Sequence, residues 1–251
     1  MEMLTAAVMM FAANSPVKGD ESAGDPDPFP PTKYPVVVFS TDKAFRLEKL
    51  VGEPPVAVGD DYSCEADRAS KLIKVKDKAG ADVYEIPIPD LATLNQNLVR
   101  ESVPEAFQGV TVTRSGNLVF CYYESNEFYY SRVAQSFTYM PGYVKDGEKI
   151  FQCGNWAEFA EDLFLTPIST RFEVEKGVAV YNAKTNKVYK LQVPAILDNL
   201  VDEWLSLRPH DSSQGLVHAV KYEKSEYGRD LDEEMTGDIG YHKIVGEAPA
   251  P

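Results

Sequence analysis

Two residues of this chain have the types and the order that thiol chemistry needs, Cys153 and His218. Cys153 lies just before a segment, Trp156 to Phe164, that the capping-box-like pair Asn155 and Glu158 predicts to be a helix. A helix start favours a thiolate, because its unpaired amides present partial positive charge. His218, in Leu216-Val217-His218-Ala219-Val220-Lys221-Tyr222, falls on a predicted strand where its imidazole could take the thiol proton. A lone cysteine also packs well as a small buried hydrophobe, and core packing is the reading adopted for Cys153. Other chemistry is thinner. There is no Gly-rich phosphate loop, no Gly-x-Ser-x-Gly and no His-Glu-x-x-His. Asp230, Asp232 and Glu234 alternate like the first ligands of a calcium loop, but Met235 and Tyr241 stand where the turn glycine and the bidentate Glu belong. His210-Asp211-Ser212 places three triad residue types in a row, where adjacent side chains rarely point at one another, so a polar turn after Pro209 is expected. No metal site and no cofactor is expected.

The stretches Cys153-Gly154-Asn155-Trp156-Ala157 and His218-Ala219-Val220 resemble the two signatures of papain-like thiol hydrolases. That resemblance implies a nucleophile at Cys153 and a base at His218. It departs where Asn155 separates the cysteine from the Trp it would directly precede. The family's upstream oxyanion-hole Gln has only the adjacent Gln152 as a counterpart.

Between Phe120 and Tyr143 runs a band of nine aromatic residues that includes Tyr122, Tyr129 and Tyr130. Such a band can stack single-stranded bases. Here it holds Arg132 as its one basic residue, alongside Glu124 and Glu127, and so lacks a cationic groove for phosphates. The whole chain carries 39 acidic against 25 basic residues, a formal charge of -14, which disfavours nucleic acid and anionic lipid as partners. The three tyrosines are expected instead in a protein interface and the core.

Strands must position these groups. Leu72 to Lys76 with Asp82 to Ile88, Val110 to Thr113 with Leu118 to Glu124, and Tyr143-Val144 with Ile150-Phe151 read as hairpins, the last around Asp146-Gly147. Short helices are predicted after Asp90, at Trp156 to Phe164, and at Ile196 to Leu207. The fold class expected is mainly β or α+β: two lobes rich in β-hairpins, with a few short helices. Val83-Tyr84 to Pro89 aligns with Val188-Tyr189 to Pro194, and Val75 with Val180, which suggests an internal duplication split near Pro141.

The expected organisation is an apolar N-terminal arm and Pro/Asp-rich linker over 1–35, a first lobe over 36–141, a second over 142–225 and an acidic tail over 226–251. The arm's Leu4, Val8, Met9, Met10 and Phe11 would dock on a neighbour. Its apolar run, about 16 Å as a helix, falls short of the roughly 30 Å of a bilayer core. Glu2 stands where a signal peptide carries positive charge, and three scattered cysteines form no disulfide framework. These features lead to an expected location in the cytoplasm or within a virus particle, without a signal peptide. The function expected is a non-catalytic structural component of a larger protein assembly, such as a virion or phage particle. The alternatives are a thiol hydrolase using Cys153 and His218, and an acidic mimic of nucleic acid that inhibits a DNA- or RNA-binding partner.

Overall fold

Alternation with period two governs the second half of the chain. In Gly177–Asn182, Val178 and Val180 join one buried cluster while Ala179 and Tyr181 join another, so both faces of that strand are covered. The computed structural model describes residues 34–95, 107–122, 126–168, 177–194, 204–222 and 235–247. The chain enters through β1 (Val36–Val38) and β2 (Ala44–Lys49), then forms a meander of β3 (Tyr62–Asp67), β4 (Leu72–Asp77) and β5 (Asp82–Pro87). Helix α1 (Leu91–Asn95) starts at Asp90, whose carbonyl accepts from the amides of Thr93 and Leu94. A second meander follows: β6 (Phe107–Val112), β7 (Leu118–Tyr122), β8 (Asn126–Ser131) and β9 (Ser136–Tyr139). Then come β10 (Tyr143–Asp146), β11 (Lys149–Gln152), β12 (Ala157–Ala160), β13 (Leu163–Ile168), β14 (Gly177–Asn182) and β15 (Lys187–Gln192). The last strands are β16 (Trp204–Asp211), β17 (Leu216–Tyr222) and β18 (Met235–Glu247).

These strands form four sheets, and the fold is nearly all β. Eight strands run in the order β12-β13-β14-β15-β2-β18-β17-β16, and the two ends, β12 and β16, come against each other, so the sheet nearly closes into a barrel. All neighbours in it are antiparallel except β15 and β2. Curling this way leaves little exposed strand edge. Its interior is filled from every strand: Phe45, Leu47, Phe159, Leu165, Val178, Val180, Tyr189, Leu191, Leu207, Val217, Ala219 and Ile244.

The outer face of β13, β14 and β15 carries Phe164, Ile168, Ala179, Tyr181 and Val188. These pack on Val119 and Tyr129 of the β6–β9 sheet and on Val144 and Phe151 of the small β1-β10-β11 sheet. The other face of β6–β9 supplies Leu118, Phe120, Tyr122 and Phe128 to a third cluster, closed by Ile73, Val75 and Ile86 of the β3-β4-β5 sheet. The β6–β9 sheet is therefore a middle layer.

Several expectations are corrected. Trp156 to Phe164 is not a helix. Phe159, Leu163 and Leu165 face the barrel interior while Phe164 and Ile168 face outward, a period of two that buries two faces where a helix buries one stripe. Of the helix expected at Ile196 to Leu207, residues 204–207 begin β16, and the remainder lies outside the described residues. Residues 226–251 are not simply a tail, since β18 fills the gap between β17 and β2 inside the barrel. The boundary near Pro141 is crossed by three strand pairings, β1 with β10, β2 with β15 and β2 with β18. The two aligned hairpins do share a cross-strand pairing, Val75 with Tyr84 and Val180 with Tyr189. The sheets around them differ, because β5 is an edge strand whereas β15 continues into β2.

Phe45, 1% exposed in the barrel interior, tests which interior holds the body together. Phe45→Ala is expected to lower unfolding free energy in denaturant titration by about 3–5 kcal/mol, against less than about 0.5 kcal/mol for Val51→Ala on the surface. Equal losses would show that the barrel is not the stabilising unit.

Candidate functional site

Cys153 follows β11, and its amide donates to the carbonyl of Gly142 at 2.8 Å. No helix begins beside it. The thiol is 4% exposed, among Trp156, Phe164 and Tyr181, and burial pushes its pKa far above the ordinary thiol value. Burial also raises the thiols of Cys64 and Cys121, the latter to about 12. His218 points elsewhere. Its Nε2 lies 2.8 Å from Asp238 Oδ1 on β18, and its ring stacks on Tyr241 at 4.7 Å. That hydrogen bond holds the Asp238 carboxyl below its ordinary range. Cys153 and His218 share no hydrogen bond, so the structure does not bring the thiol and the imidazole together.

Of the run His210-Asp211-Ser212, expected as a turn, His210 and Asp211 end β16, and the turn begins at Ser212. His210 packs edge-on against Tyr241, and Asp211 accepts from the amide and hydroxyl of Ser213 and from Gln214 Nε2. No cluster of three or more His, Cys, Asp or Glu among the described residues could hold a metal. Asp230, Asp232 and Glu234 lie outside those residues, as do the arm residues Leu4, Val8, Met9, Met10 and Phe11.

Of the three tyrosines expected in an interface and the core, Tyr122 and Tyr129 are buried and Tyr130 is half-buried. Tyr122 and Tyr129 are 1% and 5% exposed, and Tyr130 packs against Phe137 at 4.8 Å. The physical reason is the middle layer. A strand covered on both faces needs an unbroken apolar run, so an aromatic band reads the same in sequence whether it faces a partner or two neighbouring sheets.

Between the barrel and that middle layer sits a polar network. Asp162, 2% exposed in the β12–β13 turn, accepts at Oδ1 from Ser115 Oγ (2.9 Å), Asn117 Nδ2 (3.1 Å) and Tyr129 OH (2.7 Å). Lys184 Nζ is 3.4 Å from its Oδ2. Glu158 accepts from the amides of Arg114 and Asp162, bridging the β6–β7 turn to the same barrel turn. Burial raises its pKa to about 7. Glu127, 5% exposed, accepts from the Trp156 amide at 3.0 Å and is likewise raised by burial to about 7. Glu158 and Glu127 are tied to backbone amides and Asp162 to side chains of the neighbouring sheet, which gives each acid a structural task.

The surface feature that stands out joins β2 to β3. In residues 50–61, Val51 and Val56 are 96% and 91% exposed, and Val58 is 53% exposed. The segment is nonetheless anchored. Leu50 donates its amide to Tyr241 O at 2.9 Å, His210 Nε2 lies 3.4 Å from Pro55 O, and Asp61 faces Lys78 at 3.6 Å and Arg114 at 4.0 Å. Pro54 and Pro55 restrict its backbone further. Composition could have flagged three valines in a Pro- and Gly-containing stretch, but their exposure is a property of the fold.

No family model matches the chain, and no curated protein does. Among solved structures it is similar to a chain from Bacteroides fragilis named a "putative exported protein", at 10% identity, covering 78% of this chain and 76% of that one, with a TM-score of 0.24. Similarity that distant carries no argument about fold or chemistry. That protein's name, exported, stands against the expected location in the cytoplasm or a virus particle without a signal peptide, and the expectation is carried no further.

Glu127 supplies a pH test. Its folded pKa of about 7 lies above the ordinary 4.5, so between those values the folded state holds a proton that the unfolded state has lost. Stability from this group is full below pH 4.5 and is lost as pH rises to 7, by up to about 3 kcal/mol. His242, lowered by burial, acts with the opposite sign, so the difference between wild type and Glu127→Gln isolates the glutamate. Denaturation midpoints measured from pH 4.5 to 7.5 should fall more steeply for wild type than for the variant. Parallel curves would show that Glu127 is ionised throughout.

Proposed function

We propose that this chain is a non-catalytic interaction component of a larger protein assembly, docking through residues 50–61. The observation that carries this reading is the set of valines held in water by an anchored loop. Leaving them exposed has a hydrophobic cost that burial against a partner removes, about 1.5–3 kcal/mol for each side chain fully covered. A segment already fixed at Leu50, Pro55 and Asp61 loses little conformational entropy on binding.

Charge argues for the kind of partner. Glu53, Asp60 and Asp61 flank the valines on a chain of formal charge -14, so a second copy would bring like charges together. A different protein subunit, with an apolar groove rimmed by Lys or Arg, fits better. Burial of Cys153 and the separate partner of His218 support the non-catalytic reading over a thiol hydrolase. The N-terminal arm is proposed as a second, independent contact.

The test is native mass measurement of the full chain recovered from its producing cells. The chain is expected in a complex with another protein. Changing Val51, Val56 and Val58 together to Ser should release it as a monomer with an unchanged melting temperature. A complex of the same mass in the triple variant would remove residues 50–61 from the reading, and a monomeric wild-type chain would sink the assembly role altogether.

A further inference from the structure

The open end of the barrel is a cavity of about 390 Å³. Its floor is apolar, formed by the buried Phe45, Phe159 and Ile244. Two cations stand over that floor. Lys43, just before β2, places Nζ 4.9 Å from the centre of the Phe45 ring and makes no ion pair among the described residues. Arg114 reaches in from the β6–β7 turn, where Glu158 fixes its backbone amide at 2.8 Å. Its Nη2 is 4.0 Å from Asp61, at the limit of an ion pair, and its buried Nη1 has no hydrogen-bond partner. A guanidinium carries five donors, so Arg114 keeps N–H groups beyond its one long contact with Asp61.

The acids nearby are already engaged. Asp42, next to Lys43 in sequence, pairs with Lys187. Glu161, on the cavity wall, lies 2.9 Å from Lys184. Asp211 is 2% exposed and spends its oxygens on Ser213 and Gln214, which shapes the β16–β17 turn that forms another side of the mouth. The mouth thus keeps the Lys43 ammonium without an ion pair among the described residues, while Arg114 shares its charge with Asp61 and Asp211. Gly246 of β18 completes it, since a Cβ there would stand 2.6 Å from Lys43 Cε and 2.8 Å from Phe45 Cε1. Only glycine lets the lysine and the ring lie across that strand end together.

From this arrangement we propose that the barrel mouth binds a small organic anion: an apolar body bearing one carboxylate, with the carboxylate on Arg114 and Lys43 and the body over Phe45, Phe159 and Ile244. A planar carboxylate matches the guanidinium fork, and the space falls in the size range of small-molecule sites. A bare phosphate would leave the apolar floor uncovered. The valines of residues 50–61 line none of this cavity, so the proposal stands or falls independently of the docking reading.

Calorimetric titration of the full chain with octanoate, 1-octanol and inorganic phosphate tests it. Octanoate is expected to bind, with octanol and phosphate at least about tenfold weaker. Arg114→Gln and Lys43→Gln should each weaken octanoate by about tenfold while leaving octanol unchanged. Circular dichroism reports whether each variant is folded. Lys43, half-buried and without an ion pair, keeps the test decisive if Arg114→Gln fails to fold. Absence of octanoate binding, octanol binding as tight as octanoate, phosphate binding tighter than octanoate, or octanoate affinity unchanged in a folded Lys43→Gln would each overturn the proposal.

Discussion

A carboxylate taken out of water must be surrounded by donors, and Asp162 imposes that constraint on the whole body. It sits in the turn between β12 and β13, where the barrel meets the middle sheet. Ser115, Asn117 and Tyr129 all reach it from that sheet, and each is placed by a different local device. Ser115 and Asn117 belong to the β6–β7 turn closed by Thr113, while Tyr129 sits mid-strand in β8. A buried ion with one partner removed is strongly destabilising, so the turn, the strand and the barrel end are fixed relative to one another as a set. Glu158 reinforces the same junction by accepting one amide from each side.

From that junction the layering follows. With β6–β9 held against the barrel on one face, the other face still presents Leu118, Phe120 and Phe128, which the β3-β4-β5 meander covers with Ile73, Val75 and Ile86. The barrel in turn needs an eighth-strand closure that local hairpins cannot provide. It draws β2 from the start of the chain and β18 from near its end, and sets them side by side. The parallel pairing of β15 with β2 is where the early strand is inserted into the later meander.

Local pairing was therefore legible in the sequence, and long-range pairing was not. Asp146-Gly147 marked a hairpin that pairs Val144 with Phe151, and Gly147 takes the positive φ of 61° that such a turn demands. The Val75–Tyr84 and Val180–Tyr189 pairs were equally visible, because both are settled by residues within one hairpin. Asn155 misled for a physical reason. Asn before an acidic residue three positions on serves as a helix cap, but here Asn155 adopts φ 56° and Glu158 turns to Arg114 and Asp162. Only the position of a distant turn decides between those uses. The tyrosine band failed in the same way, since burial on two faces depends on sheets formed by remote segments.

The same distinction governs the charges. Most of the described lysines that make ion pairs do so on the surface, as with Lys184, Lys187 and Lys190 against Glu161, Asp42 and Asp146. Exposed pairs of this kind contribute little each, but they remove acids from the reach of other cations. Around the barrel mouth their effect is local. By engaging Asp42 and Glu161, Lys187 and Lys184 leave Lys43 without a carboxylate of its own, while Arg114 keeps Asp61 at 4.0 Å and the electrostatic pull of Asp211. A formal charge of -14 describes the field far from the protein, whereas a ligand within a few ångströms meets the arrangement of individual pairs. Net charge disfavours polyanions that would cover a broad face, and it places no such bar on a single small anion that fits inside the barrel end.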